Sequence, residues 1–464
     1  MKYSKHVLIA VMVLLLMVCL ATVLSAQASA SGDYHYSAEN GQAVIISYLG
    51  EADKVIIPDQ LDGHPVVGIG EGAFAGCEEL TNVVIPMGVT SIGDGAFEGC
   101  VNLAGVTIPE GVVSIGEGAF AGCKKLSKIT IPKSVATIGD WAFEGCESLA
   151  SIAIPRGVAR IGEGAFAGCK RLSKITIPNT VSSIGDWAFE GCERLASITI
   201  PEDVTSIGNY VFSGCRSLQR ITLPKGLASI GEYAFLGCAK LSRVIIPKGV
   251  TSIGDSAFSG CRQLRSITIP AGVTAIGPFT FDGCEKLETV TIPEGVTSIG
   301  YRAFAGCDRL SKLTIPSSVT SIGGSAFLDC RKLDRITIPT GVAIIEAFTF
   351  SNCGGLATVT ISEGVTSIGE GAFAGCGRLT KVTIPSSVVS IGDWAFHGCK
   401  RLTGVTIEEG ASSIGDGAFY QCERLATVSI PSSVTNIGQW AFDDCDRLTL
   451  LVAQGSDGVR YAET

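Results

Sequence analysis

Seventeen cysteines stand 23 residues apart from Cys77 to Cys445, and an eighteenth, Cys19, lies outside the series. Thiols at fixed spacing are the raw material of disulfides, thiolate nucleophiles and soft-metal sites. A second column is acidic (Glu71, Asp94, Glu117, Asp140, Glu163, Asp186) and supplies the oxygen donors that Ca²⁺ takes. A third is aromatic: Trp141, Trp187, Tyr210, Tyr233, Phe279, Phe348, Trp394 and Trp440 include every tryptophan of the chain, and a row of rings is a surface on which sugars stack. A fourth is cationic, with Lys128, Lys174, Arg220, Arg243, Lys312, Arg335 and Lys381 each two residues before a position that is Thr in 12 of 16 coils. Those threonines include Thr130, Thr176, Thr222, Thr268, Thr314 and Thr337.

The element that positions all four columns is a 23-residue unit, seen in GVTSIGDGAFEGCVNLAGVTIPE from Gly88 to Glu110. Phe74 to Phe442 and Leu80 to Leu448 repeat as strictly as the cysteines, with no insertion, and a fixed period in this range specifies a solenoid. Within a coil, Val83 and Ile85 alternate with residue 84, the pattern of a strand with one face inward. Pro86 and its equivalents end that strand, because proline has no N–H to continue a ladder. Val89 and Ile92 carry an inward-facing turn to a glycine column that only Glu346 interrupts. The motif D/E-x-A-F-x-G-C then predicts a single helical turn, with the acid capping it and Ala96, Phe97 and Cys100 on its inner face. The residue before cysteine is Gly in 13 coils and otherwise Asp329, Asn352, Gln421 or Asp444, the set that tolerates positive φ.

Stacking decides what the columns can do. Equivalent cysteines lie ~4.8 Å apart with parallel Cβ vectors, against the ~3.8 Å Cβ separation of a disulfide. Seventeen is odd, so the expectation is a buried ladder of free thiols. There is no C-x-x-C, and His35, His64 and His397 are scattered, so no metal or other cofactor is expected. In the acidic column Asn209, Pro278, Tyr301, Gly324, Ala347 and Gln439 replace carboxylates freely, which suits capping and not Ca²⁺. The aromatic column alternates with Gly118, Gly164, Gly371 and Gly417, so lateral packing of a ring over a neighbouring glycine competes with ligand binding there. The Thr ladder with its cations reads either as a β-favouring, solubilising face or as a binding platform. Catalysis needs one unique constellation of nucleophile, base and orienting group, whereas here nearly every polar residue recurs coil after coil.

The ends differ from the middle. Lys2 and Lys5, an apolar run from Val7 to Leu24 and A-x-A at Ala26–Ala28 mark residues 1–30 as a secretory signal peptide, with an uncleaved anchor as the alternative. Val18 before Cys19 makes a poor lipoprotein site. Residues 31–76 read as an N-terminal cap: a hairpin over Tyr34–Tyr48 turning at Asn40-Gly41, then an atypical coil whose segment DQLDGHPV forms a longer turn. Residues 77–448 are the array, and 449–464 a C-terminal cap with no anchoring segment in view. A 46-residue super-period is superposed, since 117–162 and 163–208 agree at 35 of 46 positions. The net charge of −9 without a basic cluster argues against nucleic acid, and no membrane span is expected in the mature chain.

The motif L-x-x-I-T-I-P-x-x-V-x-x-I-G-x-x-A-F-x-x-C resembles the BspA-like (Treponema pallidum-type) leucine-rich repeats over about residues 34–460. The resemblance implies an α/β repeat: a right-handed leucine-rich-repeat solenoid with short parallel strands on the concave side and single helical turns opposite. It also implies a secreted or cell-surface protein that adheres to host proteins or other cells. The concave Thr and cation columns are then the expected contact surface, with Trp141, Trp187, Trp394 and Trp440 as the alternative. A purely structural role, as a surface layer or spacer, is the competing function.

Overall fold

The computed structural model describes residues 28–453. The expected signal peptide falls almost wholly outside them, and so does the tail 454–464. The first described segment, Ala28–Ser31 (β1), pairs antiparallel with Tyr34–Glu39 (β2).

Most coils open with a short strand, reduced to an isolated bridge at Arg243 and at Lys312. Val83 and Ile85 are buried while Val84 between them faces out, so the apolar alternation sets the strand's orientation. Lys54–Ile56 (β4) pairs in parallel with Asn82–Val84 (β7), and β7 with Gly105–Thr107 in a 23-residue register, Val83 opposite Val106. The series runs to Thr449–Val452, where the register shortens by one residue, Thr427 facing Thr449. Past the proline turn lies a second parallel sheet. Ser91–Ile92 (β8) pairs with Ser114–Ile115, and the series continues to Asn436–Ile437. Sequence reading saw only inward-facing residues in a turn here.

The third wall corrects an expectation. The helical turn over D/E-x-A-F-x-G-C does not form, and the described residues contain no helix. The N–H groups of Gly95, Phe97 and Gly99 donate to Glu117, Ala119 and Ala121 on the next coil at 2.7, 2.8 and 2.8 Å. Those of Ala96, Glu98 and Cys100 close i→i−3 turns onto Gly93, Gly95 and Phe97 at 3.3, 2.9 and 3.2 Å. Successive amides thus alternate between neighbour and self, which satisfies the backbone without a helix. Left-handed residues at two places per turn, Gly95 (φ 57°) and Gly99 (φ 70°), rule out continuous helical φ.

The core is continuous. Phe74 to Phe442 form one stack with ring centroids 5.0–5.7 Å apart. All seventeen array cysteines are unbridged, and all but Cys77 are buried. Each thiol from Cys100 to Cys445 donates to the carbonyl of the phenylalanine 26 residues earlier, at 3.0–3.4 Å. The thiols are therefore more than small apolar fillers, because they stitch adjacent coils. Burial pushes the Cys123 and Cys399 thiols up to about 12, so they stay protonated donors.

At the N-terminal end, β2 and Gln42–Tyr48 (β3) form the hairpin over Asn40 (φ 52°) and Gly41 (φ 76°). Tyr48 stacks on Phe74 at 5.0 Å and so extends the phenylalanine column. β3 pairs in parallel with His64–Ile69 (β6), on the edge of the second sheet. The segment DQLDGHPV is itself a hairpin: Gln60–Leu61 (β5) pairs antiparallel with β6 about Asp62 (φ 47°) and Gly63 (φ 83°). Among the described residues no helix is long and apolar enough to cross a membrane.

Candidate functional site

The first sheet carries the residues expected to touch a ligand. Lys128, Lys174, Arg220, Arg243, Lys312, Arg335 and Lys381 are all exposed, as are Thr130, Thr176, Thr222, Thr268, Thr314 and Thr337. They share one face because each lies one residue to either side of an inward-facing Ile, Val or Leu, buried in every case but the half-buried Ile175. The register shows how the cations are spaced. Arg220 bridges directly to Arg243, and Lys312 and Arg335 occupy successive coils. Elsewhere Lys128 faces Gly105, Lys174 faces Ser151, Arg220 faces Ser197 and Lys381 faces Gly404. The expected near-continuous basic stripe is thus two adjacent pairs with single cations between neutral residues. Arg335 lies 3.5 Å from Asp334, and the other six form no ion pair among the described residues.

The acidic column works across coils. Asp94 Oδ1 accepts the N–H of Glu117 at 2.8 Å, not one of its own turn. Asp140 does the same for Glu163 (2.7 Å), Asp186 for Asn209 (2.8 Å), Asn209 for Glu232 (2.8 Å) and Asp393 for Asp416 (2.8 Å). The glycine column makes this approach possible, since a Cβ at Gly116 would strike Asp94 Oδ1 and its backbone. These aspartates are therefore committed to peptide N–H groups, the role that Asn209 also fills.

The aromatic column occupies the left-handed position of the turn. Trp141, Trp187, Tyr210, Tyr233, Phe279, Phe348, Trp394 and Trp440 have φ of 54–59°, a region costly for bulky residues. Sequence reading missed this, although the alternation with glycine in the column was its signal. Trp141 lies over Gly164, Phe348 over Gly371 and Trp394 over Gly417, where a Cβ would clash with the ring. Spanning that gap, Trp141 reaches Trp187 (6.2 Å), which stacks on Tyr210 (5.5 Å) and Tyr210 on Tyr233 (4.5 Å). Trp394 packs edge-on to His397 and Tyr420, each at 5.7 Å, while Trp440 is 53% exposed. The 46-residue super-period also opens a shallow groove of about 300 Å³. Trp141, Glu144, Ala167 and Glu190 line it, the two glutamates two coils apart. Burial, then the charge of Glu144, raises the Glu190 carboxyl above its ordinary value.

These columns offer repeated, shallow contact. None brings a nucleophile, a base and an orienting group to one place. The description "BspA type Leucine rich repeat region" matches this chain at residues 67–193, 137–265, 252–377 and 322–449. Among solved structures the chain is similar to a leucine-rich repeat protein from Bacteroides ovatus, with TM-score 0.59, 29% identity, and coverage of 92% of this chain and 100% of that one. It is also similar to a leucine rich cell surface protein from Faecalibacterium prausnitzii (TM-score 0.40, 27% identity, 95% and 98% covered). A third is the T. pallidum leucine-rich repeat protein (TM-score 0.35, 29% identity, 51% and 91% covered). No curated protein matches.

Proposed function

The chain belongs to the BspA-type leucine-rich repeat family, and on that premise we propose that it is a non-catalytic binding protein of the cell exterior. Its contact surface in this reading is the Thr-bearing sheet, taken as the concave side of a right-handed solenoid, and its ligands are proteins or surfaces of host or neighbouring cells. The observation that supports it most is the in-register column of exposed threonines flanked by cations, six of seven of them outside any ion pair among the described residues. A flat face with polar tips every ~4.8 Å suits an extended partner, and cations on an acidic molecule steer anionic patches toward it. Export rests on the signal-peptide reading of residues 1–30, which lie almost wholly outside the described structure. The test is surface plasmon resonance of the mature chain against extracellular-matrix proteins and intact partner cells. Saturable binding is expected, whereas no binding across the panel would favour the structural spacer.

A further inference from the structure

One charged column takes no part in the surfaces above. It lies two residues after cysteine, where the turn wall meets the first sheet. On the last four coils it reads Arg378, Arg401, Arg424 and Arg447, all exposed. The phenylalanines of the same coils fix their spacing, with centroids 5.2, 5.2 and 5.3 Å apart. The strands beside the first three are in register, Lys381 facing Gly404 and Gly404 facing Thr427.

Elsewhere this fold neutralises neighbours along its axis. Lys170 pairs with Glu147, Arg262 with Glu285, Arg265 with Glu288, Arg331 with Asp308 and Lys400 with Glu423, each across one coil. Among the described residues none of the four arginines forms an ion pair. Of the two carboxylates next to an arginine in sequence, Glu423 is held by Lys400 at 2.8 Å and Asp446 is the other. Like charges on adjacent strands oppose one another, so this column is most stable with an anion laid along it.

We propose that Arg378, Arg401, Arg424 and Arg447 form a binding ladder for an anionic polysaccharide, a single strand bearing sulfate or carboxylate groups. Guanidinium suits such groups because its planar fork donates two hydrogen bonds at once. The ladder is one residue wide and bordered by acidic turn positions such as Asp443 and Asp444, so it fits a narrow strand and not a duplex. The residues just before the arginines are Gly377, Lys400, Glu423 and Asp446, and those just after are leucines. None of these immediate sequence neighbours is a ring that could stack nucleic-acid bases.

The experiment measures binding of size-fractionated heparin oligosaccharides, poly-L-glutamate and oligothymidylate to the mature chain by isothermal titration calorimetry. Three proteins are compared. The first is unchanged, the second carries Arg378→Gln, Arg401→Gln, Arg424→Gln and Arg447→Gln, and the third carries Arg220→Gln, Arg243→Gln, Lys312→Gln and Arg335→Gln. The ladder variant is expected to lose at least about tenfold in heparin affinity and the sheet variant to stay within about twofold, with binding weakened by salt. Arg401→Glu alone, mid-ladder and exposed, gives a second reading should the fourfold change disturb folding. The proposal falls if heparin does not bind, if the ladder changes leave it bound, or if polyglutamate or oligothymidylate binds as tightly through the same arginines. The sheet variant keeps this outcome separate from the protein-binding reading.

Discussion

Trp187 shows how one side chain is strained and supported at once. Its backbone at φ 56° costs about 1–2 kcal/mol for an L-residue with a side chain, while stacking on Tyr210 returns about 0.5–1.5 kcal/mol beyond the area buried. Trp187→Gly is therefore expected to unfold within about 1 kcal/mol of the natural chain, and Trp187→Ala to be less stable than Trp187→Gly by about 1 kcal/mol. Chemical denaturation of the two variants checks this, and an Ala variant at least as stable as the Gly variant would contradict it. Glu190 gives a pH signature. Its folded-state carboxyl is raised by burial and by Glu144, so the charged form penalises the fold. The penalty is fully present above the folded pKa and vanishes below the ordinary value of 4.5. Glu190→Gln should raise the melting temperature at pH 7, with the gain shrinking on acidification and gone by about pH 4. A gain that is constant with pH would point to packing instead of charge.

At the scale of the element, a coil is held mainly by its neighbours. Its strands pair with those of neighbouring coils, alternate turn amides donate to the next coil, an aspartate where present caps that coil, and its thiol bonds the phenylalanine carbonyl of the previous one. Deleting residues 232–254 removes one unit and brings Phe212 into the place beside Phe258, with every column still in phase. A cooperatively folding, monodisperse protein is expected. Deleting residues 31–70 instead strips Tyr48 from Phe74 and leaves Val83 and Ile85 without the coil before them. Aggregation is expected there, and light scattering distinguishes the two outcomes. Equal damage from both deletions would refute nearest-neighbour coupling. The strand and its inward residues were legible because alternation over Val83–Ile85 and a terminating Pro86 have one simple reading. The second sheet was not, because Ser91–Ile92 is too short to display a period. The helical turn was misread for a specific reason. Ala96, Phe97 and Cys100 have helical i, i+3 and i+4 spacing, but Gly95 and Gly99 hold φ at 57° and 70°. Two glycine-tolerant positions in five residues were the sign that a helix could not form.

For the whole molecule, the strict recurrence of Phe, Cys and Leu announced a solenoid, and that much of the architecture was plain from sequence. The candidate surface was less legible. Column positions could be counted, so the exposed Thr and cation residues were found. Whether two cations touch depends on coil-to-coil register, and Ser151, Ser197 and Thr289 dilute the stripe that counting alone suggested. The direction of the acidic caps was hidden because it depends on how closely Gly116 lets the next coil approach. In the proposed function the Thr-bearing sheet is where a protein or cell-surface ligand lands. The most direct measurement is the affinity, at low and physiological salt, of a ligand captured by the natural chain for a variant carrying Arg220→Glu, Arg243→Glu, Lys312→Glu and Arg335→Glu. Each exposed cation contributes only about 0.2–1 kcal/mol, so four reversals together are expected to weaken binding by at least about tenfold, more at low salt. Unchanged binding by that variant, with loss instead on replacing Trp141, Trp187, Trp394 and Trp440, would contradict the claim and move the site to the aromatic column.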